Sequence, residues 1–132
     1  MTFGRIFLWI AAAMSLAAGG YYLVSPQAMA TSAGFGDLPP GGMTDIRATY
    51  GGFQIGMGLF LVWAALDPTR IRGGLLLTLL AFGALATSRA IGVALDSSMN
   101  EFHQSGLIFE FVFTAVALAA YLKTPDPGRA AV

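Results

Sequence analysis

The chain has 132 residues, seven basic and seven acidic side chains, a formal net charge of zero and no cysteine. Hydrophobic residues make up 56% and charged residues 11%, where soluble domains carry roughly a quarter charged. Disulfides, thiolate chemistry and cysteine-based metal sites are excluded, and a neutral chain gives no reason to expect nucleic acid or an acidic soluble partner. The length fits one domain. Charge-free runs alternate with short charged connectors, which is the pattern of a polytopic membrane protein.

The first expected span covers residues 6–24, about the twenty residues needed to cross the hydrocarbon, with Arg5 in front and Tyr21-Tyr22 at its far interface. Ala28-Met29-Ala30 resembles a signal-cleavage site, but the apolar run is longer than a signal core, so a retained span is expected. Ser25-Pro26 reads as an N-cap with proline at the first helical position, which predicts a short surface helix over 26–33, stopped by Gly34. Leu38-Pro39-Pro40-Gly41-Gly42 is expected to be an ordered loop.

The second span is expected over residues 46–66. Asp67-Pro68 ends it and starts the next helix, with Asp67 as cap and Pro68 in the first turn. The third span covers 73–95 and holds Arg89, roughly 9 Å below its boundary at 1.5 Å per residue. Ser98 and Glu101 have capping-box spacing, so the fourth helix starts near Met99. Its apolar part covers 106–122, with Glu110 one turn in.

Arg5, Arg70, Arg72, Lys123 and Arg129 all fall on one side of this arrangement, and the positive-inside rule then puts both termini in the cytoplasm. The expected fold is all-α: a four-span transmembrane helix bundle over 1–122, N and C termini cytoplasmic, a short extra helix in the first outer connector, and a flexible cytoplasmic tail over 123–132. A bacterial inner membrane is the expected location.

On that topology the intramembrane polar residues gather in one leaflet. Arg47, Tyr50 and Gln54 share a face of the second span at i, i+3 and i+7, and His103, Glu110 and Thr114 share a face of the fourth helix. Arg89 lies near the outer end of the third. Such residues need partners, so an Arg89–Glu110 ion pair is expected. Arg47 either joins the pair or reaches the headgroups by snorkelling. Two arginines against one carboxylate leave an excess positive charge, which suits a phosphate or carboxylate head. Arg47, Tyr50, Gln54, Arg89, Glu110 and His103 are therefore the candidate ligand-binding residues. One histidine with scattered carboxylates is too little for a metal site; no metal, cofactor or catalytic residue is assigned. His103 reads as a proton relay to Glu110 or, more simply, as an interfacial polar residue.

Gly52-xxx-Gly56 and Ala84-xxx-Ser88-xxx-Gly92 are small-residue stripes suited to close helix contact, and Gly52, Gly56, Ser88 and Gly92 would serve a homo- or hetero-oligomer. Phe102, Phe109, Phe113, Trp9 and Trp63 are expected to face lipid or the interface.

Asp45-Ile46-Arg47-Ala48-Thr49-Tyr50-Gly51-Gly52, followed by Gly56-xx-Leu59, resembles the signature of small bacterial four-helix membrane proteins called domain-of-unknown-function 4345. Ser88-Arg89-Ala90-Ile91-Gly92 and Phe109-Glu110 fit the same pattern. The resemblance covers nearly the whole chain. It implies one four-span domain and a retained first span, and it supplies no activity, substrate or catalytic residue.

Three functions are weighed. The first is a binding or transport-associated module that holds an amphiphile with an anionic or polar head in an outer-leaflet pocket between spans two, three and four, with membrane lipids as its surroundings. The second is a structural or accessory subunit of a membrane complex. The third, ranked lowest, is an enzyme using Glu110 as acid or base, because no nucleophile constellation or cofactor motif is present.

Overall fold

The computed structural model describes residues 2–125. Arg129 and the rest of the expected tail beyond Pro125 lie outside the described residues. The described residues form six α-helices: α1 (Phe3–Val24), α2 (Pro26–Ser32), α3 (Pro40–Ile46), α4 (Phe53–Leu66), α5 (Ile71–Asp96) and α6 (Glu101–Lys123). A π-helical segment, Arg47–Gly52, joins α3 to α4, so Pro40–Leu66 runs as one 27-residue helix. No strand occurs among the described residues.

Four helices are long and apolar enough to cross a membrane: Phe3–Val24, Pro40–Leu66, Ile71–Asp96 and Glu101–Lys123. Large apolar side chains in the middle of these helices lie open, among them Leu59 at 58%, Leu80 at 61% and Ile108 at 60%. Water does not tolerate so much contiguous apolar surface, whereas lipid does.

The second span begins six residues before its expected start, because Pro39-Pro40-Gly41-Gly42 opens a helix and is not a loop. Pro39 is extended (φ −64°, ψ 161°), as a residue preceding proline prefers, and Pro40 takes the first helical position. At the other boundary, Asp67 caps a turn ahead of the next helix. Its carboxylate accepts from the Thr69 hydroxyl at 2.7 Å and the Thr69 N–H at 2.9 Å. The hydroxyl contributes most, then the N–H, with Arg70 adding a smaller charge effect, and together they hold the Asp67 carboxyl below its usual range. Pro68 therefore lies in the turn, and α5 starts at Ile71.

Asn100, not Ser98, caps α6: its Oδ1 accepts from the His103 N–H at 2.8 Å. The first connector matches expectation at its helix. Gly34 (φ 88°) follows α2, its N–H bonding to the Thr31 carbonyl and the Phe35 N–H to that of Ala30. This is a Schellman ending, which needs the left-handed residue glycine supplies.

The described residues form two compact units. In the first, residues 2–8 and 64–125, Phe113 stacks between Phe7 (4.8 Å) and Phe82 (4.6 Å). Phe113 is 8% exposed, so the expectation that it faces lipid is wrong; Phe109 and Trp63, at 40% and 49%, do lie open. Gly74 meets Ala64 and Leu8.

In the second unit, residues 9–63, α1 and the second span touch backbone to backbone. A Cβ on Gly19 would lie 2.8 Å from the Gly51 carbonyl oxygen, and one on Gly58 would lie 2.7 Å from Leu16. Within the chain, Gly52 has only the Arg47 carbonyl at 3.8 Å, and Gly56 and Gly92 have nothing within 4 Å.

Candidate functional site: an arginine held by a glutamate and a histidine of the next helix

α5 and α6 are joined by a four-residue connector, with the last helical residue of one at Asp96 and the first of the other at Glu101. Ser97, in the left-handed region (φ 50°), turns the chain at the end of α5. The hairpin sets Arg89, about two turns before the end of α5, beside the first turns of α6.

There Arg89 meets Glu110 in a bidentate pair. Nη2 donates to Oε1 at 2.6 Å, and Nε lies 2.9 Å from Oε2 and 3.0 Å from Oε1. The fork geometry gives direction as well as strength. Glu110 is 4% exposed at its side chain and Arg89 19%, so the carboxylate is enclosed and the arginine side chain less completely so.

His103 completes the cluster, its Nδ1 3.2 Å from Arg89 Nη1. A guanidinium can only donate, so Nδ1 accepts and the proton of the neutral ring resides on Nε2. The Phe102 ring lies 5.5 Å from Arg89 Cζ, within cation–π range. Thr114 bonds back to the Glu110 carbonyl at 2.7 Å. His103, Glu110 and Thr114 thus share one face of α6, as their spacing predicts, and two of the three hold Arg89.

Sequence reasoning missed Gly106. It lies on that same face, three residues after His103 and four before Glu110, and the guanidinium rests on it. A Cβ there would meet Arg89 Nε at 3.1 Å and Cζ at 3.2 Å. The signal was a glycine between two polar residues at helical spacing. In Gly106→Ala, a gain of about 1 kcal/mol in helix propensity opposes a crowding cost of about the same size. We expect melting in detergent to change little while the His103 imidazole resonances shift, because the guanidinium must move by a few tenths of an ångström.

The other candidates belong to the second unit. Arg47 Nε donates to the Leu23 carbonyl at 3.1 Å, capping one of the last orphan carbonyls of α1 with a cation at the negative end of the helix. Tyr50 is 42% exposed and meets Tyr22 edge to face at 6.1 Å. Gln54 Oε1 is buried with no hydrogen-bond partner among the described residues. Arg47 and Tyr50 thus both meet the end of α1, and Gln54 follows the π segment Arg47–Gly52, in which a turn takes more residues than an α turn.

Four long apolar helices with open hydrocarbon faces and a sealed ion pair define a multi-pass, all-α membrane protein. The chain belongs to the family described as domain of unknown function (DUF4345), which matches residues 3–121. Comparison with curated proteins and with solved structures returned no match.

Proposed function

We propose that this protein is a binding or transport-associated module of a bacterial inner membrane, with both termini cytoplasmic. It holds the anionic or polar head of an amphiphile at Arg89 and His103 in the outer leaflet. The supporting observation is the unequal exposure of the pair: the Glu110 side chain is 4% exposed and the Arg89 side chain 19%. An incoming head therefore meets a cation and an imidazole first, with the negative charge behind them. Arginine prefers oxygen acceptors such as phosphate and carboxylate, and Phe102 supplies an apolar wall beside it. The reading rests on Arg89, Glu110 and His103 alone. Arg47, Tyr50 and Gln54 remain candidates with their own surroundings in the second unit.

Native mass spectrometry of the detergent-extracted protein tests this. We expect a retained lipid or small molecule that is reduced at least tenfold in Arg89→Ala. Absence of any adduct in the wild type, or one equally retained by the variant, rejects the reading.

The closed bidentate geometry also supports a second reading, a structural or accessory subunit in which the pair locks helix register. Crosslinking in native membranes separates the two: a stoichiometric protein partner that survives loss of the cluster favours the second.

A further inference from the structure

The first unit carries a second charged cluster, at the far end of α5 and α6 from Arg89. Arg72 and Arg89 are seventeen residues apart on one helix, roughly 26 Å at 1.5 Å per residue. We propose that Arg5, Arg72 and Lys123 form a site for the phosphodiester headgroup of an anionic phospholipid.

The three helix ends that carry these cations meet at Gly4. A Cβ on Gly4 would lie 2.9 Å from Leu75 Cδ1, 2.9 Å from Thr124 Oγ1 and 3.4 Å from Ile71 Cγ2. The start of α1 is therefore seated between the start of α5 and the end of α6, and Arg5, Arg72 and Lys123 are the immediate chain neighbours of those contact residues.

Arg72 Nη1 donates to the Thr124 carbonyl at 2.6 Å and the Tyr121 carbonyl at 3.2 Å, and its guanidinium lies 4.0 Å from the Tyr121 ring centre. Those contacts fix its position, and no carboxylate among the described residues pairs with it. Arg5 Nε is buried with no hydrogen-bond partner among the described residues. Lys123 Nζ lies 5.9 Å from the Phe3 ring centre.

No ion pair to Arg5, Arg72 or Lys123 exists among the described residues; Asp67 is taken by Arg70 at 3.2 Å. Two long helices also begin here, α1 and α5, neither with an acidic residue in its first turn. Their positive dipole ends add to the field, while the negative end of α6 is capped by Arg72. Three cations without an ion pair among the described residues, two such helix starts and a buried N–H with no partner among those residues are complementary to a phosphate. A membrane supplies phosphate at this depth as an anionic lipid, which basic clusters at helix ends attract.

The test uses the full-length protein in vesicles of phosphatidylcholine alone or mixed with phosphatidylglycerol, followed by native mass spectrometry. Wild type should retain phosphatidylglycerol in preference to phosphatidylcholine. At about fivefold per cation, Arg5→Gln/Lys123→Gln should lower that retention roughly twentyfold, and the charge-keeping Arg5→Lys/Lys123→Arg should restore most of it. Gly20→Ala, which adds a methyl group in open space, should leave it unchanged. Equal retention of the two lipids, or no loss in the double variant, overturns the proposal. Displacement by inorganic phosphate overturns the assignment to a lipid.

Discussion

Removing either member of the Arg89–Glu110 pair is expected to lower the stability of the fold by about 3–5 kcal/mol, whereas removing both at once should cost far less. The reason is desolvation. The pair is bidentate and mostly enclosed, so each charge has exchanged water for the other. A single truncation leaves the survivor without either. In Glu110→Ala the remaining arginine has a long stem and lies about two turns from the end of α5, so snorkelling recovers part of the loss and places this variant near the lower bound. In Arg89→Ala the carboxylate stays behind on a short side chain, 3% exposed, and cannot reach the surface; this variant should sit near the upper bound.

Arg89→Met/Glu110→Leu replaces both with apolar groups of similar volume and should come out near wild type. A double-mutant cycle built on Arg89→Met, Glu110→Leu and their combination, measured by reversible unfolding in mixed micelles, should therefore show a combined loss far smaller than the sum of the two single losses. Strict additivity would mean that the two residues do not act as a pair. The cycle also separates stability from binding. If the cluster serves only register, the apolar double variant behaves as wild type in every respect. If the cluster holds a headgroup, that variant folds and comes out of the membrane without its ligand.

Much of this site could be read before any coordinates. An arginine and a glutamate in consecutive apolar spans, at matching depth and joined by a short connector, have few partners other than each other. The i, i+7 spacing of His103 and Glu110 put both on one face, and their shared contact with Arg89 follows from that. Gly106 was equally present in the pattern, but a glycine in an apolar helix usually reads as packing, and its use as a seat for a guanidinium shows only in three dimensions.

Other features were illegible for definite reasons. Period alone says that small residues share a face, not which face meets a neighbour. Gly52 and Gly56 have the spacing of a packing stripe and remain open, while Gly51 and Gly58 make the contacts. The π segment hides for a related cause: Arg47–Gly52 contains nothing that distinguishes a π turn from an α turn except two adjacent glycines, a weak sign of helix irregularity. Once six residues adopt that geometry, faces counted at 3.6 residues per turn lose register, and Arg47 finds the end of α1. Pro39-Pro40 misled in the opposite direction. Proline ends helices, but it also begins them, and here the following glycines did not prevent it.

The contact between α1 and the second span yields the other large expected effect. Gly19→Ala should destabilise the second unit by about 2 kcal/mol and Gly19→Leu by more, although alanine is ordinarily the better helix former by about 1 kcal/mol. The Cβ would stand 2.8 Å from the Gly51 carbonyl oxygen and 2.9 Å from the Ile55 backbone nitrogen. Neither is the tip of a flexible side chain, so the helices themselves must separate.

Separation has a specific consequence. The Arg47–Leu23 hydrogen bond spans the same two helices one turn further along, as does the Tyr22–Tyr50 edge contact, and both should weaken together. Gly20→Ala is the control, because its Cβ meets nothing within 4 Å; it should be neutral or stabilising by up to about 1 kcal/mol. Thermal unfolding in detergent compares the three variants directly, and hydrogen exchange at the last turn of α1 reports the lost cap. If Gly19→Ala is as harmless as Gly20→Ala, the helices are not in backbone contact. Gly51 in the Arg-Ala-Thr-Tyr-Gly-Gly run would then need an explanation other than room for α1.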